Sequence, residues 1–136
     1  MNKIVRNVLA VITGIILGSA VNMGIINLQG YFIALPEGVD VTNTESLQSS
    51  MYLLGPKHFI FPFLAHAIGT LAGAYLSARI AASHKMKFAL GIGIFFLMGG
   101  ISMVFMMPAP VWFLILALSV AYIPMGWLSG RLATKL

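Results

Sequence analysis

Hydrophobic positions in this chain fall into four long runs, separated by one polar stretch and two short breaks. The runs span about residues 4–28, 57–82, 88–107 and 111–132. Each is about 20 residues or longer, the length a helix needs to cross a hydrocarbon core about 30 Å thick. The pattern predicts an all-α fold: a four-helix transmembrane bundle forming one integral membrane domain over 1–136. The polar stretch 29–56 becomes an outer loop carrying a short amphipathic surface helix. The second run is the organising element. Ala65, Gly69, Gly73 and Ser77 recur on it every fourth residue, one narrow stripe where another backbone can approach closely.

The remaining elements follow from local signals. Helix 1 carries a second small pair, Gly14 and Gly18, and two amides toward its far end, Asn22 and Asn27. An amide in hydrocarbon is costly unless paired, so Asn22 should face protein. In the loop, Pro36-Glu37-Gly38 reads as a turn. Thr42-Asn43-Thr44-Glu45 fits a capping box with Thr42 as N-cap, opening a helix over about 43–54 whose apolar face is Leu47, Met51 and Leu54. Gly55-Pro56 ends it, the glycine as a left-handed cap. Pro62 sits in the first turns of helix 2, where a missing donor costs little. Residues 83–87 form a basic loop, and Met107-Pro108-Ala109-Pro110 a tight turn. Pro124 should kink helix 4 and deprive the Val120 carbonyl of its usual donor.

Composition agrees. The chain is 60% hydrophobic and 8% charged, with a mean hydropathy of +0.97. Soluble domains carry about 25% charged residues, so too few charges are present to clothe a surface in water, and the bilayer is the expected partner. The net charge of +5 does not imply nucleic acid, because the cations lie at the ends of the runs and form no single patch. Without cysteine there are no disulfides, thiolate metal sites or cysteine nucleophiles. Lys3, Arg6 and the apolar stretch ending near Ala20 resemble a signal peptide, but the hydrophobic pattern continues to Leu28, so a retained first span is expected.

The charges also orient the spans. Lys3, Arg6, Arg79, Lys85, Lys87, Arg131 and Lys135 fall on one side of a four-span chain, with Lys57 alone opposite. The positive-inside rule puts both termini in the cytoplasm, in a bacterial inner membrane. Glu37, Asp40 and Glu45, the three acids, then face outward with His58. Trp112 and Trp127 mark the outer and inner interfaces.

His66 is the one ionisable group well inside a run. It lies about 12–14 Å below the outer start of helix 2, at the depth of Asn22 on antiparallel helix 1. Intramembrane ionisable residues are candidate proton, ligand or metal sites; the competing reading is a neutral histidine joining two helices through Asn22. No carboxylate lies within the spans to partner it. Glu37, Asp40, Glu45 and His58 could hold a cation or attract cationic substrates at an outer mouth, or serve as a cap and solvated loop charges. Their spacing matches no metal motif, and His58 and His66 are about 12 Å apart. Met51, Met103, Met106 and Met107 could suit Cu(I) or simply fill apolar space. Phe59, Phe61, Phe63, Phe95, Phe96 and Phe105 could line a pocket or face lipid. No phosphate loop, HExxH or GxSxG is present, and no cofactor is expected.

In size and four-span layout the chain is similar to the small multidrug transporters and the small fluoride channels. The multidrug family relies on a glutamate in its first span, where this chain has no acid; the fluoride channels are rich in glycine and place polar and phenylalanine residues along the pore, a pattern that Asn22, Gly69-Thr70 and the phenylalanines resemble in outline only. No functional residue carries over from either. The expected function is a small channel or transporter for an ion or small solute, its path passing His66, Asn22, Tyr122 and Thr70. The competing expectations are an accessory or scaffold subunit of a larger membrane complex and, less favoured, a membrane-embedded enzyme. The glycine faces suggest a homo-oligomer.

Overall fold

The computed structural model describes residues 2–33, 37–38, 40, 43–106 and 109–135. They form six α-helices: α1 (Lys3–Phe32), α2 (Thr44–Ser50), α3 (Ile60–Ile80), α4 (Lys85–Met106), α5 (Val111–Val120) and α6 (Ile123–Lys135). Two single 3-10 turns, Met51–Leu53 and Pro56–Phe59, link α2 to α3. Among the described residues there is no strand. Four helical stretches are long and apolar enough to cross a membrane: Lys3–Phe32, Pro56–Ile80, Lys85–Met106 and Val111–Lys135.

Helix α3 is the hub, packed against α1, α4 and α6, whereas α1 and α4 touch only lightly. The α1–α3 seam is built on missing side chains. A Cβ placed on Gly69 would lie 2.9 Å from the Gly18 carbonyl oxygen, and one on Gly73 would lie 3.1 Å from the Gly18 Cα. Gly14 meets the Gly73 carbonyl oxygen and the Ser77 Cβ in the same way. Ala65 is buried on the same helix. Gly93 and Gly126 bring α4 and α6 equally close, and the core between α3, α4 and α6 is Ala74, Ala78, Ala89, Ile92 and Ala133. Large apolar side chains point outward instead: Ile16, Met98, Phe105 and Ile115 are all more than 60% exposed. Small groups inside and large apolar groups outside reverse the usual order of a water-soluble fold.

Apart from Lys57, in the turn before α3, the basic residues gather where α1 begins, α3 ends, α4 begins and α6 ends. Arg6 Nε donates to the Ile80 carbonyl at 2.6 Å, and the Ala82 N–H donates to Asn7 Oδ1 at 2.9 Å. Lys85 Nζ donates to the carbonyls of Ala78, Arg79 and Ala81 at 3.0–3.2 Å. These cations supply donors to the last turn of α3, where its carbonyls and dipole concentrate negative charge. His84 turns the chain in the left-handed region, at φ 52°.

Several local expectations are corrected. Helix α1 runs a full turn past Leu28, and α4 begins at Lys85, three residues before Phe88. The α2 N-cap is Asn43, whose Oδ1 accepts from the Ser46 N–H at 3.0 Å; Thr42 lies outside the described residues, as do Pro36, Met107, Pro108 and the Leu47 side chain. Gly55 is extended, at φ −94° and ψ 178°, and opens the following turn: its N–H donates to His58 Nδ1 at 2.8 Å. Helix 2 therefore enters through a 3-10 turn and becomes α-helical only at Ile60. Pro124 breaks helix 4 where a kink was expected. The chain leaves the helix at Ala121 and Tyr122, and α6 restarts with the Gly126 N–H bonded to the Tyr122 carbonyl at 2.8 Å.

Candidate functional site

The break at Tyr122 and the light contact between α1 and α4 leave space inside the bundle. A cavity of about 420 Å³ lies there, lined by all four long helical stretches. It occupies the half of the bundle away from the basic end. Its inner limit is Gly18, Gly69, Thr70, Phe96 and Tyr122; past these, the alanine and glycine core closes the bundle.

Its polar groups sit at two levels. Deeper in, Asn22 Nδ2 lies 3.1 Å from His66 Nδ1, bridging α1 and α3, and the Tyr122 ring stands beside His66 with centroids 5.9 Å apart. With the amide donating, Nδ1 accepts and the ring proton sits on Nε2. Thr70 lies one turn further along α3 and is buried. At the second level, about 10 Å along α1 from Asn22, Gln29 is 1% exposed and its Nε2 donates to the His58 carbonyl at 2.8 Å. Between the levels the lining is apolar, including Ile26, Phe59, Phe113 and Leu114.

The end of the cavity nearest α2 is covered. Met51 and Leu54 pack on Phe59 and Phe113, and Phe59 in turn meets Trp112 edge-on. Gln48 Nε2 donates to the Met106 carbonyl, which ties α2 to the end of α4. The lining residues that are also well exposed are Met23 on α1 and Gly99 and Met103 on α4. The exposed part of the lining therefore lies on α1 and α4.

His66, Asn22, Tyr122, Thr70 and His58, widely spaced in sequence, all line this one space. Glu37, Asp40 and Glu45, expected at an outer mouth, are exposed on or near α2 and are not among its lining residues. Of the packing residues, Gly18 and Gly69 reach the cavity wall, while Gly14, Ala65, Gly73 and Ser77 are buried outside it. Among the described residues no group of three or more histidines and carboxylates stands close enough to hold a metal ion, and no charged residue lines the cavity. Met51 and Met103 both line the cavity, while Met106 is exposed and is not among the lining residues. Gln29 escaped the sequence reading because helix 1 was ended at Leu28. Carrying the stripe Gly14, Gly18, Asn22 two further turns would have reached it.

The fold and the cavity define an all-helical bundle with four helical stretches suited to a membrane and an internal cavity with no Asp, Glu, Lys or Arg among its described lining residues. Comparison with models of protein families, with curated proteins and with solved structures gives no match.

Proposed function

We propose that the protein is an integral membrane transporter for a small neutral solute, held in the cavity between Asn22–His66 and Gln29. The observation that carries this reading is the cavity itself: about 420 Å³, walled by every long helical stretch, with a few polar groups converging on an apolar space and no charged residue in its lining. An ion would need compensating charge or a ring of oxygens in such a site, so a neutral amphiphile fits better. The closed core beyond Thr70 favours a carrier that must change shape over an open pore. The outward-facing apolar side chains support the bilayer setting, and the basic end supports both termini lying in the cytoplasm of a bacterial cell.

The test is stopped-flow swelling of proteoliposomes in a gradient of 1,2,6-hexanetriol, a small neutral amphiphile, with potassium chloride in parallel. Swelling in hexanetriol should be faster than in protein-free vesicles and should be lost in Ile26→Trp, which fills the cavity; chloride should show no protein-dependent rate. Equal hexanetriol rates with and without protein would contradict the proposal.

A second reading, an accessory subunit, rests on a different groove. Near the basic end, Val11, Ile15, Phe88, Gly91, Ile92 and Phe95 border a groove of about 440 Å³ between α1 and α4, with Lys87 at its rim. A Cβ on Gly91 would meet nothing within 4 Å, so a helix of a larger membrane partner or of a second copy could approach closely there. That reading requires a partner to co-purify and the isolated protein to move no solute. The glycines of the α1–α3 seam are already engaged within the chain and give no separate argument for a homo-oligomer.

A further inference from the structure

The groove between α1 and α4 near the basic end is apolar, yet a cation stands at its rim. Val11 and Ile15 on α1 and Phe88, Gly91, Ile92 and Phe95 on α4 border it, with Lys87 at the end nearest the start of α4. The groove exists because α1 and α4 touch only lightly and because Gly91 presents no side chain. The cations around it are not equivalent. Arg6 and Lys85 are engaged with the carbonyls that end α3. Lys87 is exposed and makes no hydrogen bond or ion pair among the described residues. Lys3, also exposed, shares a face of α1 with Val11 and Ile15 by four-residue spacing. No carboxylate side chain is at hand for either. Glu37, Asp40 and Glu45 are the only acidic residues of the chain, and all lie in the connection from α1 to α3, at the opposite end.

We propose that this groove binds an anionic phospholipid, with one acyl chain between α1 and α4 and the headgroup phosphate paired with Lys87. The proposal rests on the reading of the four long stretches as membrane spans and is independent of solute transport. Depth and charge both favour a lipid. From Phe88 to Phe95 the groove runs about 10 Å along α4, inside the ~15 Å that one leaflet contributes to a hydrocarbon core about 30 Å thick. Its cation stands at the end where headgroups lie, and its apolar length points toward the bilayer centre, the same order as in a lipid. A phosphodiester supplies the negative charge that the chain lacks at this end, and a lysine at a membrane surface favours anionic lipid. A second copy of this chain suits the groove less well. Oriented alike in the bilayer, it would bring its own cations against Lys87 and Lys3. The lipid also fills a gap that the protein leaves unpacked, joining two helices that touch each other little.

The experiment uses the full-length protein in nanodiscs of phosphatidylcholine with a minor fraction of phosphatidylglycerol carrying the same acyl chains. Native mass spectrometry reads the lipids that stay on the protein when the disc is stripped. One phosphatidylglycerol should be retained, enriched about fivefold over its share of the disc. Lys87→Gln should bring the enrichment within about twofold of that share. Lys135→Gln removes the same charge at the basic end but outside the groove, and should leave the enrichment unchanged. Gly91→Leu fills the groove from a position where a Cβ meets nothing within 4 Å, and should abolish retention. The preference is measured within the unmodified protein, so it does not depend on how a variant folds. No preference there would overturn the proposal. Equal losses in Lys87→Gln and Lys135→Gln would overturn it as a diffuse charge effect, and enrichment unchanged in Gly91→Leu would overturn it by showing that the headgroup alone is held. A dimer that retains no lipid and is lost in Gly91→Leu would overturn it too and seat a second copy in the groove. Protein that stays out of the discs would remove the membrane reading itself; incorporation without lipid preference would remove only this site.

Discussion

At the scale of residues, two polar pairs cross from α1 to the segment Pro56–Ile80. Asn22 with His66 and Gln29 with the His58 carbonyl fasten α1 to that segment at two levels. The first pair could be read from the sequence, because helix rise and antiparallel order place residues 22 and 66 at one depth. The second could not, because it depends on where α1 ends, and a glutamine near a predicted boundary looks like loop. The capping residue shows the same sensitivity to one position: Asn43 caps α2 where Thr42 seemed equally suited by type. The Asn22–His66 bond should show as coupling in a double-mutant cycle with Asn22→Leu and His66→Leu, measured by reversible unfolding in bicelles. About 0.5–1.7 kcal/mol is expected, the range of hydrogen bonds between helices in membranes. Coupling near zero would mean that each residue acts alone.

At the scale of elements, the helices meet through glycine and alanine where large side chains are absent. The four-residue spacing of Ala65, Gly69, Gly73 and Ser77 was legible because it needs only helical geometry; the partner stripe, Gly14 and Gly18, was legible for the same reason. What was not legible was the behaviour at Pro124. A proline predicts a lost bond and a bend, but whether the helix kinks or breaks depends on packing, and here α6 restarts against Gly93 and Ala89 of α4. The seam predicts a contrast between two glycines. Gly73→Ala would push a methyl into the α1 backbone and should cost about 1–3 kcal/mol. Gly24→Ala meets nothing within 4 Å and should be neutral or stabilise by up to about 1 kcal/mol through lost backbone freedom. Unfolding of both variants in bicelles checks this, and similar effects at the two sites would contradict the packing.

At the scale of the molecule, charge is divided between the two ends, with the cations fastening the end of α3 and the acids exposed at the other end. Hydropathy and charge patterning alone made that division visible. The cavity was not visible, because it arises from the rotation of four helices about their axes and from the break at Tyr122, neither of which a hydrophobic run encodes. The acids were expected at a mouth facing water; the exposed residues of the cavity lining are Met23, Gly99 and Met103, and the gap between α1 and α4 beside them is the portal in the proposed transporter. In the proposed bilayer this portal faces lipid. The chain has no cysteine, so a single nitroxide label can be placed by Met103→Cys and its collision rates with oxygen and with a water-soluble nickel chelate compared in liposomes, with Glu45→Cys as the exposed loop reference. The label at position 103 should be readily relaxed by oxygen and shielded from nickel, and the label at 45 the reverse; nickel reaching position 103 as freely as position 45 would contradict a cavity that opens into the membrane.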